Sequence, residues 1–182
     1  MTYLIAFVLL SIPIIIISWN SLKNIGSHGF YRFFSWEGIL ILLIFKFEYW
    51  FKTPFSVNQI ISWILLIISL WLVFAGVFTL KRKGKQRSNR NQPGFYSFEK
   101  TTELINTGIF RYIRHPMYSS LFFLTWGIYL KNPDWIFLIA AVFSTAFLFL
   151  TARADEKECI EYFGDDYKEY MKNTKQFIPF IF

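Results

Sequence analysis

The chain has 182 residues, of which 54% are hydrophobic and 22% aromatic, and its formal net charge is +7. A soluble domain of this length cannot bury so much apolar surface, so the composition excludes an ordinary soluble protein and predicts an integral membrane protein. The single cysteine excludes an internal disulfide and a zinc site built from cysteines, and we expect no metal.

Five apolar segments follow one another along the chain and predict an all-α, multi-pass membrane protein. They cover residues 2–19, 34–51, 57–80, 117–130 and 135–151. Helices are expected because a backbone in lipid must satisfy its hydrogen bonds internally. The fourth segment is short for a hydrocarbon core of about 30 Å. We expect it to borrow length from residues 113–116, to tilt little or to lie in a thinned bilayer.

The first segment is expected to stay in the protein rather than to act as a cleaved signal peptide. No basic region precedes it, and no small-residue cleavage site follows it. Residues 20–32 are more polar, and we expect them to form a loop before the second segment.

The second segment carries the charged residues Glu37, Lys46 and Glu48. A charged side chain at the bilayer centre costs about 2.5–3.5 kcal/mol. We therefore expect these residues to snorkel to the interface or to pair with another helix, rather than to bind a substrate.

A basic stretch, residues 81–114, joins the third and fourth segments, with nine lysines and arginines against two glutamates. The positive-inside rule places it in the cytoplasm, with the N-terminus external and the C-terminus cytoplasmic, in the inner membrane if the source is bacterial. Its plainest role is to set topology and to attract anionic membrane lipids. Nucleic-acid binding is not expected, because no nucleic-acid-binding motif accompanies the charge.

The turn before the fourth segment has the residues of an anion-binding site. Pro116 lacks an amide hydrogen, so a helix can begin there without losing a hydrogen bond. The amides at that helix start, together with His115 and Tyr118, can converge on an anion such as a carboxylate. Arg111 and Arg114 are three residues apart and can share a face. A plainer alternative makes the arginines interfacial snorkelers and Tyr118 part of an aromatic belt.

The fifth segment ends in charged residues, Arg153, Asp155 and Glu156. Because the fourth and fifth segments form a hairpin, the two carboxylates must return close to His115. Two polar clusters of opposite sign therefore predict a site for a charged ligand at the bilayer surface.

The residues after this cluster predict a helical C-terminal tail. Gly164 favours a helix end and Asp165 a new N-cap, so we expect a break between them. An apolar stripe at helical spacing is expected to pack the tail against the membrane surface: Ile160, Phe163, Tyr167 and Met171.

Residues 104–118, with Arg114-His115-Pro116-Met117-Tyr118 at their end, closely resemble the Arg-His-Pro-x-Tyr region of the isoprenylcysteine carboxyl methyltransferase and phospholipid methyltransferase group. The tail resembles the same group through Asp155-Glu156, Phe163-Gly164, Tyr167 and Tyr170. Residues 175–179 stand where the group usually has an arginine-rich stretch and Ile-Pro. The resemblance covers roughly residues 95–182, and the first three segments match only in character.

The resemblance implies an S-adenosylmethionine-dependent membrane methyltransferase and a set of cofactor contacts. These would be Thr102, Glu103, Leu104, Ile105, Phe110, His115, Pro116, Met117, Tyr118, Asp155 and Glu156. The group usually has Glu-Glu where this chain has Asp155-Glu156, which leaves open which carboxylate holds the cofactor's ammonium group.

The candidate catalytic residues are Glu156, His115 and Arg153. Glu156 or His115 would serve as a base if the acceptor were an amine or a thiol, whereas an ionised carboxylate would need none. Some members of the group have a substrate-facing arginine where this chain has Thr151. Arg153 is the nearest arginine, displaced by two positions on the helix.

We therefore expect one membrane domain, residues 1–182, acting on a lipophilic small molecule or a lipid-modified substrate. Its parts are three N-terminal helices (1–80), a basic cytoplasmic loop with the cofactor-binding turn (81–116), a transmembrane hairpin (117–151) and cytoplasmic helices that complete the site (152–182). One alternative is a membrane reductase of the sterol-reductase type that uses NADPH, although no dinucleotide fingerprint is present. A non-catalytic membrane scaffold is another.

Overall fold

The protein consists of helices and connecting turns over residues 1–83 and 103–179, the part of the chain that its computed structural model describes. The predicted all-α fold is confirmed there, and each of the five apolar segments forms a helix. In chain order the helices are α1 (Thr2–Leu22), α2 (His28–Lys46), α3 (Val57–Lys83), α4 (Pro116–Tyr129), α5 (Trp135–Phe163) and α6 (Asp165–Asn173). Two 3₁₀ turns, Phe47–Tyr49 and Gly108–Arg111, precede α3 and α4 respectively.

The predicted loop over residues 20–32 is wrong for most of its length. Helix α1 continues to Leu22, and α2 already begins at His28. The side-chain oxygen of Ser27 accepts a hydrogen bond of 3.2 Å from the Phe30 amide, and this N-cap starts the helix in polar sequence. Polarity was therefore a poor guide to structure here, because a capped helix tolerates polar residues in its first turn.

Helix α5 extends well beyond the predicted end of the fifth segment at residue 151. It has 29 residues, a length of about 43 Å at 1.5 Å per residue, and so exceeds a hydrocarbon core of about 30 Å. The predicted break at Gly164 is confirmed, with φ 63° at that residue. The prediction of Asp165 as the N-cap is wrong, because Gly164 holds that position and Asp165 is the first residue of α6.

Among the described residues, α1, α3 and α5 are long and apolar enough to cross a membrane. Helix α2 has 19 residues but includes charged side chains, and α4 has only 14 residues, about 21 Å. Length and composition therefore support three spanning helices, and the count of five stays a prediction.

The helices pack as two principal pairs, α2 with α5 and α3 with α4, while α1 covers the outer side of α2. Small residues allow close approach within both pairs. A Cβ atom on Gly127 would lie 2.9 Å from the Leu66 side chain, and one on Gly38 would lie 3.0 Å from Ser144 Cβ. Leu42, fully buried, lies in the core cluster that joins the two pairs.

The charged residues of the second segment have partners on other elements, as expected. Lys46 is 1% exposed and forms an ion pair with Asp134, the N-cap of α5. Glu37 accepts a hydrogen bond of 2.7 Å from Ser11 of α1. Glu48 lies beyond α2 and pairs only loosely with Lys52, at 3.9 Å. The Lys46–Asp134 pair lies at the end of α5 opposite to Asp155.

We expect Asp134→Asn to destabilise the protein by about 3–5 kcal/mol, because it leaves the buried Lys46 ammonium without a counter-charge. Asparagine remains a good N-cap for α5, so the lost free energy of unfolding measures the effect of the charge and not of the cap. Thermal unfolding in detergent measures it. The double variant Lys46→Met/Asp134→Asn should recover most of the loss, and Glu48→Gln, which removes an exposed pair, should have little effect. Equal losses for Asp134→Asn and Glu48→Gln would contradict the assignment.

Candidate cofactor-binding site

A pocket of about 670 Å³, the space at its open mouth included, lies where α5 projects beyond its apolar part. Its walls are the end of α3, the start of α4, the second half of α5, helix α6 and the segment that leads to the Gly108–Arg111 turn. The lining residues are Leu80, Leu104, Ile105, Phe110, Arg114, His115, Met117, Tyr118, Asp155, Cys159, Phe163, Tyr167 and Tyr170.

The segment before α4 is held against α3 and α6. Gly108 has φ +61°, and a Cβ atom there would lie 2.8 Å from Thr79 Oγ1, so glycine permits both the turn and the close approach to α3. Ile113 is fully buried in a cluster with Leu72 of α3. The Tyr170 hydroxyl donates a hydrogen bond of 2.6 Å to the Phe110 carbonyl oxygen. These contacts fix the pocket wall that carries Leu104, Ile105 and Phe110.

Helix α4 begins at the pocket, as the sequence predicted, with Pro116 as its first residue. His115 is the N-cap residue, and its side chain makes no capping hydrogen bond to the first turn. A Cβ atom on Gly76 would lie 3.3 Å from both Pro116 and Met117, so α3 approaches closely at this level. His115, Met117 and Tyr118 line the pocket, so the positive end of the α4 dipole borders it.

Residues 174–178, here called the C-terminal segment, pair with the backbone just before α4. The Arg114 amide donates to the Lys175 carbonyl oxygen at 2.8 Å, and the Lys175 amide donates to the Tyr112 carbonyl oxygen at 3.0 Å. Ser119 Oγ donates to the Phe177 carbonyl oxygen at 2.7 Å. The Phe177 ring is 3% exposed and belongs to the same core cluster as Tyr118. The segment therefore supports the α4 start from the side away from the pocket.

Four charged residues form what we call the acid–base cluster: Arg114, His115, Asp155 and Glu156. His115 Nδ1 lies 3.4 Å from Asp155 Oδ2, and His115 Nε2 lies 3.3 Å from Glu156 Oε1. Arg114 Nε donates to the same Glu156 oxygen at 2.7 Å. The two polar clusters of opposite sign, which the sequence predicted to lie close together, are therefore in direct contact.

Burial alone would lower the pKa of His115, which is 5% exposed. The hydrogen bonds to Asp155 and Glu156 and their negative charges outweigh burial, and they raise the pKa of His115 above its ordinary value of 6.5. The His115 ring also stacks on Tyr118, with centroids 5.3 Å apart. The two carboxylates thus favour the protonated form of the ring that lies between them.

Seven of the predicted cofactor residues line the pocket: Leu104, Ile105, Phe110, His115, Met117, Tyr118 and Asp155. Pro116 packs on Gly76, and Glu103 is exposed and is not among the lining residues. Glu156 is directed to Arg114 and His115, and it is not a lining residue either. Thr102 lies outside the described residues.

Arg153, predicted as a catalytic residue, is exposed on α5 and is not among the lining residues of the pocket. Thr151 is fully buried, and its hydroxyl donates to the Phe147 carbonyl oxygen at 2.7 Å. The structure therefore brings neither residue to the pocket.

Sequence reasoning placed Arg114 in the anion-binding turn, but it did not assign several other lining residues to the site, namely Leu80, Cys159, Phe163, Tyr167 and Tyr170. A signal for two of them was present, since Asp155, Cys159 and Phe163 are spaced four residues apart and share one helical face. Cys159 Sγ lies 3.7 Å from Asp155 Oδ1, as that spacing requires. The expected role of Phe163 and Tyr167 in surface packing did not anticipate their place in the pocket wall.

Residues 57–166 match the phospholipid methyltransferase family, which is more than half of the chain. The chain belongs to this family. The match includes α3, which the sequence resemblance had left outside, and it contains the pocket residues from Leu80 to Phe163. It ends before the C-terminal segment. The family is one of membrane methyltransferases, and together with the three long apolar helices this indicates an integral membrane protein.

Individual relatives carry two kinds of name. The protein-S-isoprenylcysteine O-methyltransferase of Homo sapiens is 29% identical over 125 residues, which cover 66% of this chain and 43% of that protein. The methanethiol S-methyltransferase of Crocosphaera subtropica is 23% identical over 169 residues, 93% of this chain and 53% of that protein. The methanethiol S-methyltransferase of Pseudomonas deceptionensis is 29% identical over 73 residues, 39% and 26% respectively. The chain thus spans between about a quarter and about half of the length of these relatives.

Truncating the buried ring of the C-terminal segment tests its supporting role. We expect Phe177→Ala to reduce the free energy of unfolding by about 3–5 kcal/mol, as for other buried aromatic residues. Lys175→Ala is the control, because Lys175 contributes backbone groups to the pairing while its side chain is exposed. Thermal unfolding in detergent measures both variants, and a Phe177→Ala loss no larger than that of Lys175→Ala would contradict the assigned packing.

The raised pKa of His115 predicts a pH-dependent stability. The folded state binds the His115 proton more tightly than the unfolded state, so the stabilisation is complete below the unfolded value of about 6.5 and is lost as pH rises through the raised folded value. We expect the stability difference between wild type and His115→Gln to shrink as the pH rises above about 6.5. Thermal unfolding of both proteins across this range measures the difference, and a constant difference would argue against a protonated His115.

Proposed function

We propose that this protein is an S-adenosylmethionine-dependent methyltransferase that acts on a lipophilic acceptor at the membrane. The observation that carries the proposal is the pocket in which the Asp155 carboxylate lies beside His115, aromatic rings and the start of α4. Nearly all of its described wall falls within the part of the chain that matches the methyltransferase family.

The pocket residues fit the chemistry of S-adenosylmethionine, which has an ammonium, a carboxylate, a sulfonium and an adenosine group. A carboxylate, Asp155, is available for the ammonium group. The positive end of α4 favours the cofactor carboxylate. The rings of Phe110 and Tyr118 offer faces that attract a sulfonium by about 0.5–2 kcal/mol each. When bound, the cofactor would supply an activated methyl group for in-line displacement.

Asp155, rather than Glu156, is the proposed ligand of the ammonium group. Asp155 lines the pocket, whereas Glu156 is engaged by Arg114 Nε and His115 Nε2 at 2.7 and 3.3 Å. The two residues are adjacent on α5 and point about 100° apart. The Tyr118 hydroxyl hydrogen-bonds Asp155 as well, which holds the carboxylate in place. Glu156 then serves to fix Arg114 and His115.

The protonation state of His115 decides whether this residue can act as a base for the acceptor. The protonated imidazole between Asp155 and Glu156 keeps the negative charge of the cluster compensated in a buried setting. A thiol or amine acceptor would require a base in the pocket, and His115 could accept its proton only in the neutral form, which is favoured at higher pH. An ionised carboxylate acceptor would use positioning and exclusion of water alone.

A lipophilic acceptor and five membrane-spanning helices complete the proposal. Relatives are named for isoprenylcysteine, whose isoprenyl group is a hydrocarbon, and for methanethiol, a small thiol with an apolar methyl group. Apolar pocket residues such as Leu80, Ile105 and Met117 suit an acceptor of this class. The basic residues at the end of α3 support a cytoplasmic pocket with an external N-terminus.

Ligand binding by the purified protein in detergent tests the proposal. We expect S-adenosylhomocysteine to raise the unfolding temperature of the wild type, whereas NADPH should not. Asp155→Asn, which removes one charge without changing size, should weaken S-adenosylhomocysteine binding by about tenfold or more, because a charge-assisted contact is lost. Glu161→Gln is the matched control, an exposed acid on the same helix, and it should bind like the wild type.

Transfer of radiolabelled methyl groups from S-adenosylmethionine into a lipid extract and membrane proteins tests the activity itself. We expect labelled product from the wild type and Glu161→Gln, and a much reduced yield from Asp155→Asn. Stabilisation by NADPH alone would favour the reductase alternative. Failure of the wild type to bind either ligand would favour a non-catalytic scaffold.

A further inference from the structure

The first turn of α2 is held by a carboxylate from α5. Glu158 Oε1 accepts a hydrogen bond of 2.9 Å from the His28 amide, and Glu158 Oε2 lies 2.7 Å from His28 Nδ1. His28 is fully buried and the Glu158 side chain is 18% exposed. The same helix end already has its own N-cap in Ser27. One carboxylate therefore binds both the backbone and the ring of a single buried residue that is 130 positions away in sequence.

This contact lies next to the proposed cofactor ligand. Glu158 follows Asp155 by three residues, so the two side chains are neighbours on α5. The charged groups near enough to affect the pKa of His28 are Glu158, Asp155 and Arg32. Asp155 thus has the imidazole of His115 at 3.4 Å from the α4 side, while Glu158, one helical turn further along α5, carries the contact with His28 of α2.

We infer that His28 and Glu158 are positioning residues for the cofactor site, which hold the Asp155 turn of α5 at the angle that directs its carboxylate into the pocket. The inference rests on the proposed function. His28 lies outside the family-matched residues 57–166, so α2 adds a determinant that the matched region does not contain.

General packing of α2 on α5 does not need this contact. Farther along the two helices, Ser35 Oγ lies 3.0 Å from Ser144 Oγ, and the rings of Phe34 and Phe147 have centroids 5.0 Å apart. Burying an imidazole and a carboxylate also costs desolvation free energy that apolar packing would avoid. The contact between His28 and Glu158 instead fixes the orientation of α5, because two hydrogen bonds to one carboxylate restrict the rotation of this helix about its axis.

The test compares four variants of the whole chain, the fourth being Glu158→Gln. His28→Ala removes the ring contact, His28→Asn keeps an N–H donor near the position of Nδ1, and Ser35→Ala removes a hydrogen bond between the same two helices away from the site. The dissociation constant of S-adenosylhomocysteine is measured by calorimetry in detergent, and the unfolding temperature without ligand is recorded for each.

We expect His28→Ala to raise the dissociation constant by about tenfold, the effect of losing one hydrogen bond to a charged group. His28→Asn should restore most of the affinity, and Ser35→Ala should bind like the wild type even if its unfolding temperature falls equally. Glu158→Gln keeps the size of the acid, and its dissociation constant should lie between those of the wild type and His28→Ala. If His28→Ala does not fold, Glu158→Gln provides the same comparison. The inference would be overturned if His28→Ala and Glu158→Gln bound the ligand as tightly as the wild type, or if Ser35→Ala weakened binding equally. Either result would leave the proposed function standing. Absence of binding by the wild type would overturn the proposed function and the inference together.

Discussion

The contact of His115 with Asp155 and Glu156 is the constraint on which the pocket depends. Three ionisable groups at the head of α4 and on α5 are largely removed from water, and they are tolerated there only because each has a partner of opposite charge. To reach His115, α5 must remain helical for at least one turn beyond its apolar part, and α4 must begin at Pro116. The projecting half of α5 is therefore part of the site as well as of the bundle.

At the opposite end of the bundle, buried charged groups also have partners, but they do not border the pocket. Lys46 is paired with Asp134, and the Lys131 ammonium lies 3.5 Å from the centroid of the Trp63 ring and 3.1 Å from Gln59 Oε1. These buried cations are satisfied by neighbouring side chains, so they lock the α4–α5 turn to α2 and α3. At the pocket end, by contrast, a paired carboxylate, Asp155, also borders open space, and that makes it available to a ligand.

Two elements outside the family-matched region support the site from behind. The C-terminal segment pairs with the backbone of residues 112–115, and Phe177 packs against the residues that carry His115 and Tyr118. From the other side, the start of α2 is joined to α5 through Glu158. The pocket wall formed by the matched region is thus in contact with parts of the chain that are distant in sequence and lie outside that region.

The sequence by itself determined the helices, the break at Gly164 and the return of two carboxylates to the neighbourhood of His115, because these follow from apolar segment length, glycine geometry and hairpin connectivity. It did not determine which of Asp155 and Glu156 reaches the pocket, since adjacent helical residues point about 100° apart and only packing sets the rotation of α5. Nor did it predict the pairing of Lys175 with Tyr112 or of His28 with Glu158. Contacts between residues so far apart leave no local pattern, and only the tertiary structure brings them together.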